Sequence, residues 1–263
     1  MNHKESVSGI FRIVLGVSFL CSVLVSSSAV LLRDFQIANQ ELDRKRNVLK
    51  AAGIYTKGMS EGEIRAKYSQ IQSIVVDFQT GEIAKGINSD TYNMEKEARD
   101  LDFSIPIPTD KDIAKLRRIS RYGILYLYRK EHLVERIILP IYGPGLWSTM
   151  YGFLSLEKDG KTIAGISFYE HGETPGLGGE IENPRWQALW VGKSLLDSDG
   201  NSRIEVVRGE VDKSKPGSET RVDGISGATI TGRAVGNIVR FWVGDFAYGK
   251  VLKNLSFVGG EHE

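Results

Sequence analysis

The stretch of the 263-residue chain most suggestive of chemistry is DGISGATITG, residues 223–232. It holds two threonines, Thr229 and Thr231, and three small residues come directly before the first of them: Ser226, Gly227 and Ala228. Small neighbours would leave such a hydroxyl accessible to another molecule, so the stretch has to be tested for chemistry. From residue types alone, a glycine-rich turn in which Thr229 or Thr231 caps the next helix is the simplest interpretation.

Two other chemistries fit the same stretch. Residues 224–228 (GISGA) differ by one residue from the G-x-S-x-G turn of serine hydrolases. The base that must follow such a serine could only be His262, beside the C-terminus where chains usually fray, so we reject a hydrolase. Backbone N–H groups at a helix N-terminus could also bind a phosphate group, although no lysine of the P-loop type accompanies them.

Two further glycine-rich segments could contribute to a binding site. HGETPGLGGE, residues 171–180, predicts a tight irregular turn, and its glycines permit close approach of the backbone to a planar ring. In GPGLW, residues 143–147, we interpret Leu146 as a ligand contact and Trp147 as part of the core. We interpret His171 as structural.

Composition excludes several classes of function. Lys+Arg 34 against Asp+Glu 33 gives a net charge of +1, which does not indicate a nucleic-acid-binding surface. A single cysteine, Cys21, excludes an internal disulfide and a cysteine-rich metal site. The histidines are scattered, with no pair at metal-ligand spacing: His3, His132, His171 and His262.

The N-terminal segment is strongly apolar. Ile10 to Leu32 carries one charge, Arg12, and its uncharged part from Ile13 is 20 residues long. At about 1.5 Å per residue this part spans roughly 30 Å, the thickness of a bilayer core. A retained membrane anchor is favoured over a cleaved signal peptide. Basic residues lie on both sides of the span, so charge alone leaves its orientation open: Lys4 and Arg12 before it, and Arg33, Arg44, Lys45, Arg46 and Lys50 after it.

Helical and irregular segments follow the anchor. Apolar residues at helical intervals predict that the helix continues to about residue 51. Ser60 and Glu63 form a capping-box pattern that predicts a second helix through Ile71, and SIVVDFQTGEI, residues 73–83, predicts a strand and a turn. The polar stretch 87–121 predicts irregular structure.

The rest of the chain is mainly β, with a helix near its end. Residues 123–141 hold two strand-like runs, and residues 152–171 predict a hairpin turning at Lys158–Lys161. An apolar stripe predicts a late helix: Val235, Ile238, Val239, Trp242, Val243 and Phe246. The pattern indicates an α+β fold, in which a single N-terminal transmembrane helix precedes a mixed α/β domain with antiparallel hairpins and a C-terminal helix.

Three motifs resemble one known family. Residues 223–229 (DGISGAT) resemble the D-x-x-[ST]-G-A-T signature, in which the last threonine is joined to FMN through a phosphoester. Together with GPGLWSTMYGFLSL (143–156) and HGETPGLGGEIENPRW (171–186), they resemble the C subunits of the sodium-translocating NADH:quinone oxidoreductases over essentially the whole chain.

The resemblance implies covalent FMN on Thr229 as the cofactor. A phosphodiester there would carry a negative charge, which the N-terminus of the late helix can stabilise. It implies no catalytic residue and no metal, since the flavin does the electron chemistry. The other cofactor-binding residues that it implies are Asp223, Ser226, Gly227, Ala228, Glu173, Thr174, Leu177, Gly178 and Leu146.

The same resemblance implies a place in a respiratory complex. The chain would carry electrons, without an NADH site of its own, in a complex that oxidises NADH, reduces ubiquinone and exports sodium. Expected partners are the other subunits, an FMN transferase and membrane lipid, and no nucleic acid. The flavin subunit of the ion-translocating ferredoxin:NAD oxidoreductases and a membrane-anchored flavin sensor remain alternatives.

The resemblance also implies a domain organisation and a location. Residues 1–32 would anchor the chain in the inner membrane, and residues 33–263 would form an FMN-binding domain on the outer (periplasmic) face. Within that domain, residues 33–121 would form a helical neck and an α/β subregion, and residues 122–263 the flavin-binding core.

Overall fold

The structure, a computed structural model, describes residues 7–131, 133–197 and 199–254. Four residues discussed above lie outside the described residues: His3, Lys4, His132 and His262. The chain divides into two compact units, Met1–Asp43 and Arg44–Glu263. The expected α+β class is confirmed: an apolar N-terminal helix precedes an antiparallel sheet with helices.

The N-terminal helix α1 runs without a break from Val7 to Ala51. Among the described residues it is the one helix long and apolar enough to cross a membrane, with a mean hydropathy of 2.2 in its most apolar 18-residue window. The predicted continuation to residue 51 is confirmed. Its last turns belong to the second unit, where Val48, Leu49 and Ala51 are fully buried.

The second helix begins as predicted and ends early. Ser60 and Glu63 form the reciprocal capping box of α2, Glu61–Tyr68. The helix stops before Ile71 because Ile71 begins strand β1, Ile71–Asp77, and pairs with Tyr128 on the neighbouring strand. Sheet hydrogen bonds therefore replace the expected last helical turn.

A five-stranded antiparallel sheet forms the centre of the second unit. Its strand order is β1-β4-β5-β6-β7, so β1 and β7 are the two edges. The predicted hairpin is confirmed as β6 and β7, with Asp159 accepting a hydrogen bond from the Lys161 N–H in its turn. The other four strands of this sheet are β4 Tyr122–Lys130, β5 Leu133–Pro144, β6 Thr149–Glu157 and β7 Ile163–Glu170.

The stretch 87–121 is more ordered than its composition indicates. Asn93 caps the short helix α3, Met94–Arg99, whose first residue is buried against the sheet. Strands β2, Ser104–Pro106, and β3, Arg118–Ser120, then form a two-stranded sheet. The prediction of irregular structure is wrong here, because three-residue elements carry too short a pattern to detect in a sequence.

Helices cover both faces of the sheet. On one face, a Cβ atom at Gly143 of β5 would lie 2.6 Å from Ile238 of helix α5, Thr229–Trp242. On the other, Ser167 of β7 donates to the Asn47 carbonyl of α1 at 3.1 Å. The predicted late helix is confirmed, but it ends at Trp242, so Phe246 lies beyond it.

Short elements complete the second unit. Two-residue strands β8 and β9 pair in parallel just before the 223–232 stretch. The remaining elements are α4 Pro184–Ala188, β8 Glu205–Val206, β9 Arg221–Val222, α6 Gly249–Lys253 and the 3-10 turns Gly178–Glu182 and Ser218–Thr220.

Candidate functional site

The 223–232 stretch forms the turn between β9 and α5. Ala228 donates its N–H to the Ile225 carbonyl at 3.1 Å, which closes a tight turn. Gly227 has φ +72°, a left-handed conformation that glycine adopts without strain. Helix α5 begins at the next-but-one residue, Thr229. The turn therefore presents Thr229 as the first helical residue.

The N-terminus of α5 lacks a side-chain cap. Its N-cap residue is Ala228, which makes no capping hydrogen bond. The interpretation of Thr229 or Thr231 as the cap is therefore wrong. The first N–H groups of a helix have no partner within the helix and carry a partial positive charge. An uncapped start with an exposed hydroxyl at its first residue suits a phosphate ester.

The two threonines of the stretch have opposite environments. Thr229 is exposed, as is Ile230 beside it. Thr231 is buried, with 1% of its surface exposed, and its hydroxyl donates to the carboxylate of Glu173. Only one of the two hydroxyls is therefore open to another molecule.

Glu173 lies at the point where three segments meet. It is 4% exposed, and its Oε1 accepts hydrogen bonds from the N–H groups of Leu146 at 2.9 Å and Trp147 at 3.0 Å. Its Oε2 accepts the bond from Thr231. Both carboxylate oxygens thus bind protein donors. The contact with a cofactor expected for Glu173 stays a prediction.

The 171–180 loop reaches the 223–232 stretch through Leu177. The Leu177 Cδ2 atom would lie 2.9 Å from a Cβ atom at Gly227, so the two segments touch. Leu177 is nonetheless 44% exposed. Thr174 is also exposed, and its carbonyl closes the loop by accepting hydrogen bonds from the N–H groups of Leu177 and Gly179. His171 has a structural role, because its Nδ1 accepts the Glu173 N–H at 3.1 Å.

The side chain missing at Gly178 is explained by packing within the protein. A Cβ atom there would lie 2.6 Å from Glu173 Oε2 and 2.7 Å from Thr231 Oγ1. A side chain at Gly178 would therefore collide with the buried Glu173–Thr231 pair. The expected contact between this glycine and the flavin stays a prediction.

Trp147 lies on the surface, and its interpretation as core is wrong. The turn at 145–148, closed by the Gly145 N–H and the Ser148 carbonyl at 2.7 Å, places Trp147 70% exposed and Leu146 48% exposed. Their N–H groups point inward to Glu173. Two apolar side chains thus stand on the exposed side of the segment that Glu173 binds.

The other residues of the signature support the turn or lie open. The Asp223 carboxylate accepts the Val211 N–H at 2.8 Å and its carbonyl accepts from Trp186 Nε1 at 3.0 Å, so Asp223 fixes neighbouring loops. Ser226 and Gly227 are exposed, and Ala228 is buried.

These residues fit FMN in two respects. The uncapped N-terminus of α5 supplies unpaired N–H groups for a phosphate attached at Thr229. The exposed apolar side chains of Leu146, Trp147 and Leu177 lie on the segments that Glu173 and Gly227 bring together, and they offer an apolar surface for a planar ring. The groups exposed here are thus of the kinds that a phosphate and a planar apolar ring require.

Sequence reasoning missed the part played by Thr231. The only signal is that Thr231 and Glu173 both lie in glycine-rich motifs, which could have suggested that the two motifs meet. Nothing in the local sequence, however, gives the 58-residue separation that the hydrogen bond closes.

Comparisons with known proteins identify a family. Residues 145–244 match the family described as FMN-binding domain. The chain is 44% identical over 252 residues, covering 96% of both chains, to the C subunit of the Na⁺-translocating NADH-quinone reductase of Vibrio vulnificus strain YJ016. It is 41% identical over 256 residues to the C subunit of the same reductase in Pseudomonas aeruginosa, covering 97% of this chain and 98% of that one.

A solved structure agrees as well. The crystal structure of Shewanella oneidensis NqrC covers 84% of this chain and 99% of its own, with a TM-score of 0.76 and 32% identity. Near-complete coverage at this identity extends the likeness well beyond the FMN-binding region. The chain therefore belongs to the family of the C subunits of Na⁺-translocating NADH-quinone reductases, whose cofactor is FMN.

Proposed function

We propose that this chain carries FMN in a phosphoester bond to Thr229 and transfers electrons inside a membrane complex that oxidises NADH, reduces ubiquinone and exports sodium. The observation that carries the proposal is the exposed hydroxyl of Thr229 at the uncapped start of α5. The neighbouring hydroxyl of Thr231 is buried and already donates to Glu173, so it is the poorer acceptor.

An external FMN transferase follows from the chemistry of this hydroxyl. A threonine hydroxyl is a weak nucleophile unless a base activates it. In the part of the chain that the structure describes, Thr229 Oγ1 has no hydrogen bond to a basic side chain. The exposure of Thr229 and the small residues before it leave room for a separate enzyme to approach.

Electron transfer in the complex would use the exposed side of the site. FMN supplies the redox chemistry when bound, and the protein holds and orients it. We expect the surface formed by Leu146, Trp147 and Leu177 to leave part of the ring accessible to neighbouring subunits, which would donate and accept the electrons. The chain itself would need no NADH site.

Anchoring and orientation complete the proposal. We assign residues 1–32 to an inner-membrane anchor in contact with lipid and residues 33–263 to an FMN-binding domain on the periplasmic face. The long apolar helix supports an anchor, while the side is proposed from the family resemblance. Protease added to intact spheroplasts should cleave the domain, and protection until the membrane is lysed would contradict this orientation.

The linkage is tested by mass. Co-expression with an FMN transferase should increase the intact mass by one FMN less one water, and a fragment spectrum should place the addition on Thr229. Thr229→Ala should remain unmodified while folding normally, and Thr231→Val should keep an acceptor. Modification that persists in Thr229→Ala and disappears in Thr231→Val would overturn the assignment.

A further inference from the structure

We propose that Glu173 is a positioning residue of the flavin site, which holds the 146–147 turn, the 171–180 loop and the first turn of α5 in one arrangement. The inference rests on the proposed function, since it concerns how Thr229 and the surface beside it are presented to FMN. Glu173 acts through these segments.

The hydrogen bonds of Glu173 come from two segments distant in sequence. Two bonds come from backbone N–H groups 26 and 27 residues earlier, and one comes from a hydroxyl 58 residues later. Backbone N–H groups can only donate, so Oε1 must act as an acceptor for both. No other described residue bridges these segments by accepting from the 146–147 turn and from α5.

Burial makes this arrangement costly to break. Glu173 is 4% exposed, and no described lysine or arginine forms an ion pair with it. Its three donors therefore compensate for the loss of water around the carboxylate. Removing the carboxylate would leave the N–H groups of Leu146 and Trp147 without their acceptor, which destabilises the turn that they hold.

The bond to Thr231 connects Glu173 to the flavin-accepting residue. Thr231 and Thr229 lie in the same first turn of α5. Gly178 packs directly against the Glu173–Thr231 pair, and Leu177, the residue before it, touches Gly227. Movement of Glu173 would therefore shift the start of α5 and the Leu177 side chain relative to the 146–147 turn.

The experiment compares three variants of the full chain co-expressed with an FMN transferase. Glu173→Ala removes all three bonds, whereas Glu173→Gln keeps the shape and one acceptor oxygen. Gly178→Ala keeps the Glu173 carboxylate but inserts a methyl group within 3 Å of both partners of the pair, so the pair must shift. The readouts are intact mass, the visible circular dichroism and fluorescence anisotropy of the attached flavin, its midpoint potential, and the melting temperature.

Asp77→Asn is the matched control. Asp77 is also buried, at 7% exposed, and accepts hydrogen bonds from Arg121 and the Gln79 N–H. It lies on β1, the opposite edge of the sheet from β7, after which the Glu173 loop begins. The control should lower the melting temperature and leave the flavin readouts at wild-type values.

In Glu173→Ala and Gly178→Ala we expect loss of the visible circular dichroism, lower anisotropy and a shifted midpoint potential, with Glu173→Gln restoring most of the wild-type signal. A Glu173→Ala variant that folds but carries no flavin also supports the proposal. If Glu173→Ala does not fold, the flavin readouts of Gly178→Ala decide. Wild-type flavin readouts in both alanine variants, with a loss of stability like that of Asp77→Asn, would overturn it. A wild-type chain without attached flavin would instead refute the proposed function.

Discussion

The buried hydroxyl of Thr231 donates a hydrogen bond to the carboxylate of Glu173, 58 residues earlier in the chain. This bond separates two threonines that local sequence treats as equivalent. It commits one hydroxyl to the protein interior and leaves Thr229 free at the surface. The same bond joins the two glycine-rich motifs, so the site depends on a contact between them.

The left-handed turn at Gly227 gives a first prediction. Gly227→Ala should lower the free energy of unfolding by about 1–2 kcal/mol, because an alanine is strained at positive φ, and it should also displace Leu177, which lies 2.9 Å from the new methyl group. Flavin attachment and the visible spectrum of the flavin should therefore change. Chemical denaturation and intact mass measure the two effects.

Gly217→Ala is the control for this prediction. Gly217 has φ +82° but no atom within 4 Å of a Cβ position, so it carries the backbone strain without the displaced neighbour. It should lose similar stability and keep a wild-type flavin spectrum. Equal flavin spectra in the two variants would contradict the predicted effect of displacing Leu177.

The division of the chain at Asp43 gives a second prediction. Deleting residues 1–43 should leave a soluble unit that folds and still accepts FMN, because the site lies wholly in Arg44–Glu263. Deleting residues 1–51 should also remove the buried Val48 and Leu49, which contribute about 2 kcal/mol each by burial. Urea denaturation of the two proteins would measure the difference. Equal stabilities would contradict a structural role for the end of α1.

Alkaline pH should destabilise the folded domain through its tyrosines. Burial, which disfavours the charged phenolate, raises the pKa of Tyr92 to about 12. A raised pKa means that the folded state keeps the proton longer than the unfolded state. The resulting stability is present below pH 10 and is lost as pH rises to about 12.

Tyr92→Phe tests this titration. The variant loses the 3.0 Å hydrogen bond to the Tyr122 carbonyl, so we expect lower stability at neutral pH. It should lose less additional stability than wild type between pH 10 and about 12, although other buried tyrosines keep part of the dependence. Urea midpoints across this range measure the slope, and identical slopes in both proteins would refute the assignment to Tyr92.

The fold was predictable wherever a pattern was long. The N-terminal apolar run and the apolar stripe of α5 each extend over several helical turns, and the hairpin has turn residues around Asp159 between two β-rich runs. The pair β2 and β3 was missed because three residues hold no period. The sequence predicts too long a helix α2, because the pairing of Ile71 in the sheet is a tertiary effect that helix propensity does not include.

The site was predictable in its motifs but less so in its contacts. The signature selects Thr229, and the structure agrees that this hydroxyl is exposed. The environments of Glu173 and Gly178 depend on segments 26 to 58 residues away, which a single sequence does not join. The sequence predicts a buried Trp147 because tryptophan is highly buried on average, and only the turn at 145–148 shows that this one is exposed.

Trp147 supplies the last prediction. A tryptophan that is 70% exposed buries little surface, so Trp147→Ala should change the melting temperature of the FMN-free domain only slightly. If its side chain forms one wall of the ring surface beside Leu146 and Leu177, the substitution should change the absorbance and fluorescence of the attached flavin. Leu133→Ala is the control, because Leu133 is also 70% exposed and is the first residue of strand β5, outside the site. An exposed tryptophan could instead contact another subunit, and the experiment separates this role from contact with the flavin. Unchanged flavin spectra in the isolated protein, together with slower electron transfer in the assembled complex, would assign Trp147 to contact with a neighbouring subunit.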